Sequence, residues 1–272
     1  MLRWSATEAG AGVARIYRGT TLVRSWTFAP RPNWVIAFDG RTAGGTALPD
    51  GRYRYRVDLR DSAGNRTVVD RTITIDRTAG YLHWSRSFYP QDGDALAPTS
   101  VVSFKLARQA ATTLRILDAN GSLVRTVWTN RLLTAGTRTW TWNGRNAVGA
   151  FVPPGRYVAQ LTATTSLGSV TIGQAVTVAA FSAAPSATTV RPDQVLTIAF
   201  RSVEPLSTRP TVTFSQPGRA GVTIAATRLT DGSYRAAFRV QTGAAGNATL
   251  RIAARDTGGR LNSSVVSVAF AP

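Results

Sequence analysis

The chain has 272 residues, no cysteine and a formal net charge of +18 at neutral pH. The missing thiols exclude a disulfide scaffold, thiol catalysis and any zinc site built on cysteine. No apolar run reaches the roughly 18 residues of a membrane-spanning helix, so the sequence predicts no membrane insertion. All basic residues except Lys105 are arginines. They are scattered rather than clustered, which argues against nucleic acid as a partner.

Strand-like alternation of side chains is the dominant local pattern along the chain. It runs through residues 13–17, returns at 114–116 and returns again at 249–253. A period of two places successive side chains on opposite faces of a strand. The 24 glycines and 13 prolines divide the sequence into short runs, as many strands joined by turns require. The sequence therefore predicts an all-β fold.

The first two thirds of the chain repeat one pattern. Residues 38–41 match 142–145, and residues 49–53 match 153–157 in the same register. The shared Asp-Gly and Asn-Gly pairs favour two-residue turns, because both residue types tolerate a positive φ. The last ninety residues match this repeated pattern less closely. All three stretches place a tyrosine two residues after a glycine at the start of a strand, namely Tyr53, Tyr157 and Tyr234. This spacing predicts a hydroxyl that bonds back to nearby backbone.

Three motifs of the second repeat resemble those of the immunoglobulin-like family named for the flagellar hook-capping protein. They lie at residues 116–125, 142–145 and 154–157, and residues 88–94 are similar to the opening of such repeats. In that opening, Gln91 and Asp92 replace the usual Asn-Gly. The repeats divide the chain into three domains at 1–79, 80–182 and 183–272, and the resemblance implies that the first two are immunoglobulin-like β-sandwiches. The third domain looks like another bacterial surface module of this kind.

The first repeat begins inside the strand that matches residues 101–106, so it lacks the opening strand of the second repeat. We therefore expect the chain to be the C-terminal part of a longer secreted protein, or its start codon to be misassigned. The first domain is predicted to be a sandwich without its first strand.

No catalytic or cofactor-binding residue is predicted. His83 is the single histidine, and no nucleophile motif surrounds it. Many of the acidic residues stand in turns such as Asp39-Gly40 and Asp231-Gly232, where turn geometry explains them. The sequence therefore predicts a protein that is not an enzyme.

One short motif offers oxygen atoms to a metal ion. Asp92 and Asp94 flank Gly93, which allows a sharp turn, and residues 118–121 could add ligands. Calcium takes six to eight oxygens, so further groups would have to complete the shell. Both segments also read as simple turns, and we assign no metal site from the sequence.

Three tryptophans could form a platform for sugar rings. Trp140 and Trp142 point to the same face of one strand, and Trp128 lies nearby in sequence. Trp142 aligns with Phe38 in the first repeat, and Trp140 aligns with Ile36. Apolar residues in both copies favour a place in the core.

These features predict a non-enzymatic array on the cell surface or outside the cell. It would act as spacer, stalk or attachment segment for an upstream catalytic or adhesive domain of the same protein. Anionic cell-wall polymers are possible weak partners because of the arginine-rich surface. Three alternatives stay open: a polysaccharide- or cell-wall-binding module, a subunit of a surface filament, and a flagellar hook-assembly component.

Overall fold

The computed structural model describes residues 2–271, and every regular element in them is a β-strand. No helix among these residues is long and apolar enough to cross a membrane. The all-β prediction and the immunoglobulin-like sandwich architecture are confirmed. The chain packs as two compact units. The first takes residues up to Thr78 together with 163–170, and the second takes 79–162 and 171 onward.

The first unit is built on one antiparallel sheet of four strands in the order β2-β1-β3-β4. The strands are β1 (Leu2–Arg18), β2 (Thr21–Ile36), β3 (Gly51–Asp61) and β4 (Arg66–Ile75). The pairing of β1 with β2 shifts register between Ser5 and Gly12, where the sheet folds over. As a result the Trp4 ring lies 5.8 Å from the ring of Tyr55, whose own strand pairs with the other half of β1. The folded sheet encloses its own core.

At Gly12, strands β1 and β3 approach too closely for a side chain. A Cβ atom at this position would lie 2.0 Å from the backbone oxygen of Asp58 on β3. No side chain fits at that distance, so the close approach of the two strands depends on the bare backbone.

The counterparts of these long strands are broken in the second repeat. Its strands form a three-stranded sheet, β5-β6-β9, and a four-stranded sheet, β11-β10-β7-β8. They are β5 (Ala79–Trp84), β6 (Ser100–Leu106), β7 (Ala110–Asp118), β8 (Leu123–Leu133), β9 (Gly136–Trp142), β10 (Gly155–Thr165) and β11 (Gly168–Val178). Trp142 is fully buried between them, with the rings of Trp84, Phe88 and Tyr157 within 5.9 Å of its own.

The last part of the chain forms a second pair of sheets, β12-β14-β18-β17 and β13-β20-β19-β15-β16. Its strands are β12 (Phe181–Pro185), β13 (Thr189–Val190), β14 (Val195–Ser202), β15 (Thr211–Ser215), β16 (Val222–Ala225), β17 (Thr227–Arg228), β18 (Tyr234–Arg239), β19 (Gly246–Arg255) and β20 (Leu261–Phe270). Tyr89, Ala180 and Phe181 belong to the same apolar cluster as the interior of this pair. The two sheet pairs of the second unit are therefore continuous at their junction.

The division into domains at 1–79, 80–182 and 183–272 stays a prediction. β5 begins at Ala79 and β12 at Phe181, close to both predicted boundaries. Within the described chain, residues 2–5 of β1 pair on one edge with β2, whereas β6, their counterpart, also has β5 on its second edge. The missing opening strand of the first domain likewise stays a prediction.

The tyrosine spacing has its expected geometry in two of its three places. The Tyr53 hydroxyl donates to the Pro49 carbonyl, and the Tyr157 hydroxyl donates to the Pro153 carbonyl, both at 2.6 Å. Tyr234 instead stacks on Phe200 with ring centroids 5.5 Å apart, and its hydroxyl has no hydrogen-bond partner among the described residues.

Replacing Tyr157 with phenylalanine should therefore weaken the fold. We expect Tyr157→Phe to lower the free energy of unfolding by about 1 kcal/mol, the usual net contribution of one hydrogen bond. Tyr234→Phe is the matched control and should change it by much less. Urea denaturation followed by tryptophan fluorescence measures both. Equal losses in the two variants would contradict this assignment.

Candidate metal centre

Four acidic side chains from three loops of the second unit meet at one point. Asp92 and Asp94 lie in the loop between β5 and β6. Glu204 follows β14, and Asp256 follows β19. One carboxylate oxygen from each of the four lies within 4.8 Å of the others. The junction of the two sheet pairs thus carries a cluster of four carboxylates, which we call the junction cluster.

Backbone contacts hold the two later loops of the junction cluster side by side. Leu206 and Asp256 form an isolated antiparallel bridge. The Thr257 amide donates to the Pro205 carbonyl at 3.0 Å, and the Ser207 amide donates to the Arg255 carbonyl at 2.9 Å. Glu204 and Asp256 are therefore fixed relative to each other by main-chain hydrogen bonds.

The loop that carries Asp92 and Asp94 folds on its own carboxylates. Asp92 Oδ1 accepts from the Asp94 amide at 3.3 Å, and Asp94 Oδ1 accepts from the Leu96 amide at 2.8 Å. The second oxygen of each carboxylate is buried and has no hydrogen-bond donor among the described residues. Each aspartate therefore uses one oxygen to accept a hydrogen bond within its turn, and its other oxygen has no such donor within the described chain.

Glu204 and Asp256 divide their oxygens in the same way. Glu204 Oε2 accepts from Asn262 Nδ2 at 2.7 Å, and Asp256 Oδ1 accepts from the Arg260 amide at 3.0 Å. Glu204 is 3% exposed and Asp256 is 0% exposed. Within residues 2–271, no donor reaches Glu204 Oε1, Asp256 Oδ2 or the side-chain oxygen of Asn262.

Burial makes negative charge unfavourable in the junction cluster. Desolvation, followed by the charges of Asp92 and Asp94, raises the pKa of Glu204 to about 7. Desolvation is also the largest cause of the raised pKa of Asp92, to which the neighbouring charges of Asp94 and Asp256 contribute. Removing a carboxylate from water costs free energy unless a partner compensates it.

The donor atoms of the junction cluster are of the kind that hard cations prefer. A set made only of carboxylate oxygens suits calcium or magnesium and lacks the nitrogen and sulfur ligands that zinc favours. Glu204 and Asp256 are too deeply buried to meet a bulky substrate. Two acids that flank a scissile bond must be reachable by it.

The structure joins some of the residues that the sequence singled out and separates others. Asp92 and Asp94 lie in the junction cluster as a pair. Asp118, the other candidate ligand, caps the turn between β7 and β8, where its Oδ1 accepts from the amides of Asn120 and Ser122. His83 is exposed on β5, with Nδ1 at 2.9 Å from the Tyr81 carbonyl oxygen. The sequence did not identify Glu204 and Asp256 as candidate ligands.

The three tryptophans differ in their surroundings. Trp142 is fully buried, as its alignment with Phe38 predicts. Trp128 and Trp140 are half-buried, and an arginine lies over each ring: Arg131 and Arg125 respectively, both 5.8 Å from the ring centroid. These two rings do not form an open platform, because guanidinium groups already occupy part of their faces.

The middle of the chain is similar to a known domain family. The profile of the FlgD Ig-like domain matches residues 92–166, which confirms the resemblance predicted for the second repeat. No curated protein sequence matches the chain.

Solved structures that resemble the chain share low sequence identity with it. A tetra-tandem repeat in the extending region of a large adhesion protein is 18% identical, covering 98% of this chain and 68% of that one, with a TM-score of 0.29. The alpha-2-macroglobulin of E. coli is 9% identical, covering 98% and 22%, with a TM-score of 0.27. The Bacteroides ovatus protein SGBP-B, solved with a mixed-linkage heptasaccharide, is 11% identical, covering 99% and 63%, with a TM-score of 0.22. The chain thus spans less than two thirds of the last two proteins.

The core position of Trp142 can be tested by truncation. We expect Trp142→Ala to lower the free energy of unfolding by about 3–5 kcal/mol, because a large buried ring leaves a cavity. Trp140→Ala is the control on the same strand face and should cost clearly less, since its ring is half-buried. Chemical denaturation measures both, and the reverse order would show that Trp142 is not the core residue.

Proposed function

We propose that this chain is a non-catalytic, extracellular array of immunoglobulin-like modules in a larger secreted or surface-attached bacterial protein. It acts as a spacer, stalk or attachment segment for a catalytic or adhesive domain of that protein. The observation that carries this proposal is the FlgD Ig-like match over residues 92–166, whose turn motifs recur in the first unit at 38–53. In this proposal the repeated sandwiches supply separation and stiffness, an assignment that rests on likeness to the family and not on a site.

The positions of the reactive side chains support a non-catalytic role. The exposed His83 ring hydrogen-bonds to the Tyr81 carbonyl, and no serine or carboxylate within residues 2–271 is bonded to it. The closest grouping of acids among the described residues is the buried junction cluster. Neither arrangement presents a nucleophile and a base to a substrate.

The positive surface is partly neutralised by pairs on neighbouring strands. Arg66 lies 2.6 Å from Asp58, and Arg56 lies 3.0 Å from Asp70, all of them on β3 and β4. Such exposed pairs contribute little to stability. The net charge of +18 still leaves a diffuse positive field, which supports weak, salt-sensitive attraction to anionic wall polymers.

Binding to isolated cell walls separates the spacer from a specific binding module. We expect the purified chain to sediment with bacterial cell walls weakly at low salt and to be released as salt is raised, because screening removes attraction between exposed charges. Saturable binding that persists at high salt would overturn the spacer function. In that case Trp128→Ala and Trp140→Ala would reveal whether the half-buried rings carry it.

A filament subunit is a second candidate, favoured by the open edge of the first unit. Residues 2–5 of β1 pair with β2 on one edge, and no other strand of the described chain pairs with them on the second edge. That edge lies beside a cleft of about 460 Å³ lined by aromatic residues such as Trp4 and Tyr55 and by polar residues such as Thr7 and Glu8. A strand edge without a neighbouring strand can accept one from another chain.

Sedimentation velocity distinguishes the filament subunit from the spacer. A spacer stays monomeric as concentration rises, and we expect this result. Concentration-dependent polymers would favour the filament, and Ser5→Pro should then abolish them, because proline on this edge blocks strand pairing. Ala119→Pro, in the exposed turn between β7 and β8, is the matched control and should leave any polymers intact, because proline suits the second residue of such a turn.

A further inference from the structure

The junction cluster holds more uncompensated negative charge than a structural turn needs. Two of its members, Glu204 and Asp256, are more than nine-tenths buried, and each keeps a carboxylate oxygen without a donor. Asp92 and Asp94 each add a buried oxygen in the same condition. Turn geometry or Asn262 explains the bonded oxygen of each acid. A contact between the carboxyl groups of Asp92 and Glu204 accounts for at most one pair of the remaining oxygens, and those of Asp94 and Asp256 stay without a donor among the described residues.

The spacing of the four acids fits one large divalent cation. Calcium–oxygen bonds of about 2.3–2.6 Å place two ligands of the same ion no more than about 5 Å apart. The four oxygens lie within 4.8 Å of one another. Calcium takes six to eight oxygens, so bidentate carboxylates, backbone carbonyls or water can complete the shell.

We propose that Asp92, Asp94, Glu204 and Asp256 bind one calcium ion that fastens the two sheet pairs of the second unit together. The ion would join the loop between β5 and β6 to the loops that follow β14 and β19. Those loops already touch, since a Cβ atom added to Gly258 would lie 3.0 Å from Asp94 Oδ2 and 3.2 Å from Asp256 Oδ1. The bound cation replaces mutual repulsion by attraction across this contact.

Asn262 fixes the ligand geometry from behind. Its side chain is fully buried on β20 and donates to Glu204 Oε2 at 2.7 Å, which leaves Oε1 to face the cation. Such an outer contact orients a ligand without touching the ion. Asn262 is thus a positioning residue, and its side-chain oxygen has no donor among the described residues.

Calorimetric titration of the full chain with CaCl₂ after chelator treatment is the direct test. We expect one calcium ion per chain and a rise in the unfolding midpoint, because a ligand that binds the folded state stabilises it. Asp256→Asn and Glu204→Gln should each weaken calcium binding by about tenfold or more, since each removes one charged ligand. Asp118→Asn is the matched control, as it changes a half-buried turn acid outside the cluster.

A second measurement keeps the test independent of folding failure. In chelator, Asp256→Asn and Glu204→Gln should be at least as stable as the parent, because each lowers repulsion and keeps an oxygen that can accept the existing hydrogen bond. Asp92→Asn, at a half-buried position, gives a further variant. Hydrogen exchange of the parent chain should slow on calcium addition at the amides of Asp94, Leu96 and Arg260, which bond to the ligating carboxylates.

Two outcomes would overturn the proposal. One is the absence of heat, midpoint shift and exchange protection up to about 5 mM calcium, above the millimolar Kd of the weakest extracellular calcium modules. The other is binding that Asp256→Asn, Glu204→Gln and Asp118→Asn leave equally unchanged, which would place the ion elsewhere. The spacer function is tested separately, by sedimentation with cell walls and by sedimentation velocity, so a failure of the calcium proposal leaves it unaffected.

Discussion

Burial of every second side chain along the strands is the interaction on which this molecule depends. With no cysteine in the chain, no covalent link supplements it. The pattern is clearest on β10, where Tyr157, Ala159, Leu161 and Ala163 are buried in alternation with more exposed neighbours. Each such row must find an opposing row, and this requirement sets how the sheets pair. The turns, the bulges and the junction cluster are all placed by that pairing.

The two related repeats bury their apolar side chains with different strand arrangements. In the second repeat the chain breaks between β6 and β7, so two separate sheets face each other. In the first repeat β1 runs unbroken for 17 residues, and a register shift near Gly10 bends it across the core. A glycine at position 12 makes this bend possible, because the neighbouring backbone leaves no room for a side chain. Equivalent cores thus arise from continuous and from interrupted strands.

Local sequence patterns predict most of the fold, because strands and turns are local properties. Alternation predicted the strands, the alignment with Phe38 predicted the core position of Trp142, and the Gly-x-Tyr spacing predicted the Tyr157 hydrogen bond. The Asn-Gly pair at 143–144 did not form the predicted two-residue hairpin, because the chain continues to a bridge between Arg145 and Phe151. The predicted hydrogen bond did not extend to Tyr234, whose ring stacks on Phe200 instead.

The junction cluster could not be predicted from the sequence. Asp92 and Glu204 are more than a hundred residues apart, and only the packing of two sheet pairs brings them together. No spacing of acidic residues in the sequence indicates that these side chains lie together.

The apolar cluster shared across the second unit has a consequence for how such chains can be inherited. Tyr89, from the loop between β5 and β6, packs into the interior of the last sheet pair although it belongs to the chain segment of the preceding one. A recombination event that separated the two sheet pairs would leave this ring in water and open the core that it covers. Gene duplication and shuffling are therefore expected to move the two sheet pairs as one block, so the unit of exchange in evolution is larger than a single sandwich.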